Sequence, residues 1–286
     1  MLILAILPAI VLFFFVWKSD RTEKEPPKLL IKLFLLGMAT IATALIIGLL
    51  GDKVFSFMDP EGMLFIFIDN FILTALVEEG GKYFVLKKVT WKHPAFTHTF
   101  DAIVYAVAVS LGFATLENII YVLDGDVGTA FVRAIFSVPG HVTDAVYMGY
   151  YFGTAKYAEK ARDMDGCRKN LWKAIIIPVL LHGFYDFCLS TQYDIFILIF
   201  LIFEVVMTAL VIRRILKSSK YDRHLPVIDD PIIIDPMIEN GAVVADVSIN
   251  SENDQENIYD SPANSVDNGI LPGNSGIINE NQENQP

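Results

Sequence analysis

Residues 63–86 read MLFIFIDNFILTALVEEGGKYFVL. A helix of that length crosses a bilayer core of ~30 Å, yet this one carries Asp69, Glu78, Glu79 and Lys82 among its apolar residues. Six further apolar stretches accompany it, at roughly 1–17, 33–51, 101–123, 129–155, 174–192 and 195–212. The whole chain is 53% hydrophobic and 19% charged, whereas a soluble domain has about a quarter charged residues and ~45–50% apolar ones. The expected fold is all-α: a polytopic membrane helical bundle of about seven transmembrane helices.

Charge sets an orientation. Lys18, Arg21, Lys24, Lys28 and Lys32 follow the first stretch, and Lys87, Lys88 and Lys92 follow the third. Six more bases lie between residues 156 and 173, and five follow the last stretch, so 19 of 22 fall on one side. By the positive-inside rule that side is cytoplasmic. The opposite connections hold Asp52, Asp59, Glu61, Asp124 and Asp126 with Lys53 as their one base. An odd number of spans, N-terminus outside and C-terminus cytoplasmic, satisfies every loop. The first stretch lacks a basic leader and reads as an uncleaved anchor. The expectation is an integral, multi-pass protein of the cytoplasmic membrane.

Residues 221–286 hold 13 of the 33 acids and one of the 22 bases, leaving the first 220 residues near neutrality with 20 acids and 21 bases. Two domains follow: a membrane domain over 1–220 and an acidic, disordered cytoplasmic tail over 221–286, too polar to bury a core. Pro231–Ile238 reads as solvated linker. No concentrated basic face remains, which disfavours nucleic acid as a partner. Two cysteines, Cys167 and Cys188, form neither a disulfide framework nor a cysteine zinc site.

A charge at mid-membrane costs at least ~2.5–3.5 kcal/mol, so each is a functional candidate. The candidates concentrate in spans three to six: Asp69, Glu78, Glu79, Lys82, Glu117, Arg133, His141, Asp144, His182 and Asp186, with Asp101 at the entry of the fourth. These helices should surround a wet cavity. Residues three or four apart share a helix face. Either Glu78 or Glu79 can therefore neutralise Lys82 and leave the other free for chemistry. Asp186, four residues after His182, can orient that imidazole. Phe113, Glu117 and Tyr121 form one stripe. Pro139-Gly140 should break the fifth helix just before His141. Glu204 and Asp69 lack patterned partners and read as structural or interfacial, and Arg133 reads as snorkelling to the outer interface.

Two hydrolytic chemistries suit such a set. In one, His141, His182 and a glutamate, Glu117 in the first instance, hold a zinc ion that acidifies a water. In the other, no metal is present, Glu78 or Glu79 is the general base, and the histidines stabilise the oxyanion. A proton-coupled transporter remains an alternative, because acids and histidines also make proton relays. So does a catalytically silent scaffold that binds partner helices.

Glu78-Glu79-Gly80-Gly81-Lys82 matches an EExxK motif, and Phe113 through Glu117-Asn118 to Tyr121 matches FxxxExxxY. His141 in Pro-Gly-His and the His182–Asp186 HxxxD pair supply a third and fourth. Over roughly residues 60–190 these resemble the PrsW family of intramembrane proteases, distantly similar to CAAX-processing and bacteriocin-processing proteases. The resemblance implies an endopeptidase that cuts a membrane-anchored protein, as in site-1 cleavage of an anti-sigma factor. It also implies Glu78, Glu79, Glu117, His141 and His182 as catalytic residues, with Lys82, Asp186, Tyr121 and Asn118 in support. One tension accompanies it: on straight helices of ~1.5 Å rise per residue, Glu117 and Glu78 differ in depth by about 13 Å.

Overall fold

The computed structural model describes residues 2–191 and 193–227, together with the backbone of two short strands further along. Within 1–229, one compact unit, the expected rods form. They are α1 (Leu2–Ser19), α2 (Pro27–Val54), α3 (Met63–Ile68), a π-helical segment (Asp69–Ala75), α4 (Leu76–Thr90), α5 (Asp101–Asp124), α6 (Val127–Ile135), α7 (Ser137–Lys160), α8 (Met164–Ser190) and α9 (Asp194–Lys220). α3, the π segment and α4 follow one another without a gap, and α6 and α7 are parted only at Phe136, so that, each set counted as one, seven rods stand among the described residues where seven spans are expected. Among the described residues five helices, α1, α2, α5, α8 and α9, are long and apolar enough to cross a membrane. The other two rods carry the EExxK charges and a break. Exposed Leu45, Ile46, Leu49, Ile202 and Val205 form an outer surface that only lipid satisfies.

α5 is the axis. In its apolar window 78% of residues are buried, against 17% to 28% in the other four candidate spans. α1, α2, α4 and α7 pack around it, and that coat explains a helix apolar on every side. α2 and α5 approach closely at two glycines. A Cβ on Gly37 would lie 2.0 Å from the Val109 carbonyl oxygen, and one on Gly112 would lie 2.0 Å from that of Phe34. Small residues allow this spacing between membrane helices. Gly112→Ala is expected to lower stability by ~1–3 kcal/mol, the range for forcing atoms into a packed interior. Gly48→Ala, where a Cβ meets nothing within 4 Å, is expected to leave the thermal midpoint in detergent unchanged or raised. Equal midpoints for the two variants would refute the close crossing.

The fifth span departs from expectation. The helix breaks at Phe136 (φ −112, ψ −53), upstream of Pro139, and α7 then runs unbroken through Pro139-Gly140-His141. The Gly140 amide bonds the Phe136 carbonyl at 2.9 Å. Proline in a first turn removes only an N–H that has no helical partner, so Pro139 starts this helix and does not stop it. The short α6, capped by Asp126 accepting from the Thr129 amide at 2.8 Å, packs on α1 through Ala130 and Ala5.

The expected tail boundary at 221 also shifts. Thr99 donates its amide to the Arg223 carbonyl at 2.9 Å, and Leu225 donates to Thr97 at 2.7 Å. Asp222 accepts the Phe100 amide at 2.8 Å, one of the free donors that every helix start presents. Residues through Leu225 therefore belong to the folded unit. Beyond 227, strands β1 (Pro236–Glu239) and β2 (Ala242–Ala245) pair antiparallel. The rest of the tail expected to be disordered, and most of Pro231–Ile238, lies outside the described residues.

Candidate active site

The EExxK residues occupy the first turns of α4, directly after the π segment. Asn70, within that segment, donates to the Ile66 carbonyl at 2.7 Å and accepts from Ser190 of α8 at 3.1 Å. Wide π turns recur at functional sites, where they rephase the residues that follow. Here they set Glu79 and Lys82 against α7 and α8. All three of Glu79, Lys82 and His182 are buried.

The network centres on Glu79. Its Oε1 accepts from Lys82 Nζ at 2.6 Å and from His182 Nδ1 at 2.9 Å. The other nitrogen of His182, Nε2, meets Asp186 Oδ2 at 3.1 Å, so Asp186 orients the ring in the way its i,i+4 spacing implies. Lys82 Nζ also lies 3.3 Å from His141 Nδ1. An ammonium only donates, so His141 Nδ1 is an acceptor, and its Nε2 proton points at Glu117 Oε2, 2.9 Å away. The lysine rests on the Phe113 ring at 4.1 Å.

Glu117 thus joins the site through His141. Despite the ~13 Å depth difference expected on straight helices, Glu117 and Glu78 line the same cavity, and α5 keeps its expected bounds. Because α7 starts at Ser137, His141 sits ~6 Å into its helix, near the end at which Glu117 lies. Glu78, Glu117, His141, His182 and Asp186 all line one cavity of about 290 Å³. Glu79 does not line it and is 0% exposed. A second crevice of about 300 Å³, between α2, the π segment and α5, is also lined by Glu78 and Glu117. Glu78 faces space, and Glu79 is the buried anchor behind it.

Several cavity residues escape a reading by motif. Arg133 is no snorkelling side chain: Nη2 bonds Glu117 Oε2 at 2.6 Å and Ser137 Oγ at 3.0 Å, and Nε bonds Asn118 Oδ1 at 2.8 Å. Its guanidinium covers the Tyr121 ring at 3.9 Å. One arginine therefore holds Glu117, Asn118 and Tyr121 together. The usable signal was its spacing from α5 across a short turn, which brings it back over that helix. Asp144 lies 3.7 Å from His182 Nδ1, and Tyr185, Glu204 and Asp69 face the same cavity. Glu204 and Asp69 thus stand at the site and not on an outer interface. Arg133→Gln is expected to lower peptide hydrolysis by ~10-fold or more, since an arginine that bonds three side chains and stacks on a fourth has no neutral equivalent. Its kcat should fall more than its KM rises. A variant with wild-type kinetics would show that Glu117 needs no such clamp.

The donor set fits a divalent metal. Ligating atoms of Glu78, Glu79, His141 and His182 all lie within 4.8 Å of one another. Glu78 Oε2 and Glu79 Oε2 are buried without a hydrogen-bond donor, an arrangement that native interiors rarely leave uncompensated. Glu117, expected among the ligands, stands beside this cluster, bonded to His141 and Arg133. The cysteines are free, buried and outside the cluster.

The family described as PrsW family intramembrane metalloprotease matches residues 25–212. Protease PrsW of Oceanobacillus iheyensis is 34% identical over 215 residues, covering 75% of this chain and 94% of that protein. Protease PrsW of Clostridioides difficile is 34% identical over 226 residues, covering 78% and 91%. That of Bacillus subtilis is 36% identical over 186 residues, covering 65% and 80%. No solved structure matches the chain. The transporter that the buried charges left open finds no support among these relatives. With a match that runs from the start of α2 into α9 and takes in every residue of the cluster, the chain belongs to the PrsW family of intramembrane proteases.

Proposed function

We propose that Glu78, Glu79, His141 and His182 form the hydrolytic centre, that Glu79, His141 and His182 hold a zinc ion while Glu78 stays unligated as the base, and that the substrate is a membrane-anchored protein of the anti-sigma-factor kind. The observation that carries this reading is the convergence of those four groups, from α4, α7 and α8, within 4.8 Å beside a cavity. Two imidazoles and one carboxylate are a ligand set zinc takes, with a fourth position left for water and the second carboxylate beside it. A zinc ion there would acidify the attacking water and polarise the scissile carbonyl.

The protein's own groups divide the remaining work. Glu78, the carboxylate on the cavity side, takes the proton from the attacking water and later passes it to the leaving amine. Glu79 holds Lys82 and His182 in place. Asp186 accepts the Nε2 proton of His182, so that Nδ1, on losing to solvent the proton it directs at Glu79, is the nitrogen turned to the centre. Glu117, clamped by Arg133, keeps the His141 proton on Nε2 and its Nδ1 lone pair inward. A peptide entering the crevice between α2 and α5 meets Glu78 and Glu117 first. The concentration of bases on one side supports a C-terminus in the cytoplasm and residence in the cytoplasmic membrane. One feature favours a second reading without metal: the Lys82 ammonium, 3.3 Å from His141 Nδ1, already places a positive charge among these carboxylates and imidazoles.

Reconstitution in liposomes with single-pass anti-sigma substrates tests both. Cleavage is expected from wild type and not from His182→Ala. Loss on chelation with recovery on adding zinc supports the metal reading, whereas cleavage indifferent to chelators supports the glutamic one. Equal cleavage by wild type and His182→Ala would overturn the assignment of the centre.

A further inference from the structure

A second cluster of buried acids lies far from the cavity. Asp20 and Glu25 come from the connection between α1 and α2, and Asp101 is the first residue of α5. Asp101 precedes Glu117 by sixteen residues, or ~24 Å along the helix. Carboxylate oxygens of the three lie within 4.8 Å of one another, and the residues are only 3%, 3% and 1% exposed.

Each carboxylate is anchored through one oxygen. Asp20 Oδ1 accepts from the Thr22 amide at 3.2 Å. Asp101 Oδ2 accepts from the amides of Thr97 at 2.9 Å and His98 at 2.7 Å. Glu25 Oε2 is bonded to the Tyr105 hydroxyl. Glu25 and Asp101 also lie within hydrogen-bond reach of each other, and Asp20 Oδ2 is buried with no partner at all.

Among the described residues no lysine or arginine nitrogen comes within 4.0 Å of these three carboxylates. Neighbouring Lys24 directs its ammonium to the carbonyl oxygens of Trp17 and Asp20, 2.6 Å from each. His98 Nδ1 is engaged with Thr97 Oγ1 at 2.9 Å. The nearby acid Asp222 is occupied by Thr99 and Phe100. Three unpaired negative charges in an interior are not sustainable, and either protons or a cation must offset them.

We propose that Asp20, Glu25 and Asp101 form a second metal site, for a divalent cation of the oxygen-seeking class (magnesium, manganese or calcium), which ties the α1–α2 connection to the start of α5. Carboxylate oxygens are the donors such ions take, and their affinity rises with the number of charged ligands. The donors are all oxygen, with the Ala95 carbonyl close by, bonded to the Tyr105 hydroxyl at 3.0 Å. This site therefore selects a different ion from the imidazole-containing centre. Its occupant would stabilise the bundle and take no part in hydrolysis.

The test uses full-length protein in detergent, stripped with a chelator and titrated with manganese. Binding is read by electron paramagnetic resonance, and thermal unfolding is followed in manganese, magnesium and calcium. Wild type is expected to bind manganese and to unfold at a midpoint that climbs with cation concentration. His182→Ala, which alters only the hydrolytic centre, should retain that binding. Asp20→Asn and Glu25→Gln should weaken it by about tenfold or more, as loss of a charged ligand does. Manganese binding that disappears in His182→Ala would overturn the proposal. So would a wild-type midpoint that ignores all three cations and moves only with pH, because protons would then neutralise the cluster. The wild-type midpoint and the His182→Ala titration decide the matter even where Asp20→Asn or Glu25→Gln fails to fold.

Discussion

Glu78→Gln is expected to reduce peptide-bond hydrolysis by ~10²–10⁴-fold, the usual contribution of a positioned general base, with little change in thermal midpoint. Glu78 lines both cavities and its nearest cationic partner is distant, with Lys82 Nζ 3.6 Å from Oε2. Removing its charge takes away a proton acceptor and breaks no short hydrogen bond. The comparison that decides is with Glu79→Gln, which should lower both activity and stability because Glu79 accepts from two buried donors at once. Single-turnover cleavage in liposomes, with unfolding measured on the same preparations, separates the two. If Glu78→Gln cuts at the wild-type rate while Glu79→Gln folds normally and is inert, the two roles are the reverse of those assigned here.

The second large effect is on stability. Lys82→Met keeps the length of the side chain and removes a charge that is 1% exposed. It leaves Glu78 and Glu79 facing each other without their cation, and breaking a buried pair in this way costs about 3–5 kcal/mol. The Phe113 ring loses the ammonium above it, and the His141 Nδ1 lone pair loses its donor. The expected observation is a clear fall in thermal midpoint in detergent, partly recovered by zinc if zinc binds the same carboxylates. A midpoint equal to wild type, with and without zinc, would show that Lys82 is no part of the charge balance.

Much of the molecule was legible beforehand for specific reasons. The bounds of α5 came out within one residue of the apolar run at 101–123, because a stretch that hydrophobic has one stable form in lipid. The HxxxD pair was readable because i,i+4 spacing fixes which side chains can meet on one helix. Arg133 was misread because its partners, Glu117, Asn118 and Tyr121, sit on the preceding helix, and contact depends on the turn at Gly125-Asp126 and the tilt of α6. Pro139 was misread because the same residue ends a helix from within and begins one from its first turn. The choice between Glu78 and Glu79 lay beyond any motif: neighbours on a helix point about 100° apart, and only the π segment before them says which points to the cavity.

From its order of residues alone, this chain determined that it would lie in a membrane as helices and that acids and imidazoles would be carried into the apolar layer. Both follow from local hydropathy and from the cost of an unpaired charge, quantities that each short segment carries by itself. The tertiary structure alone decided which glutamate faces open space, where the fifth rod breaks, how Glu117 reaches His141, and that Asp20, Glu25 and Asp101 come together at the start of α5. Those outcomes depend on the rotation and depth of each helix. Packing against the others sets them, through contacts such as Gly37 on Val109 and Gly112 on Phe34 that no single segment contains.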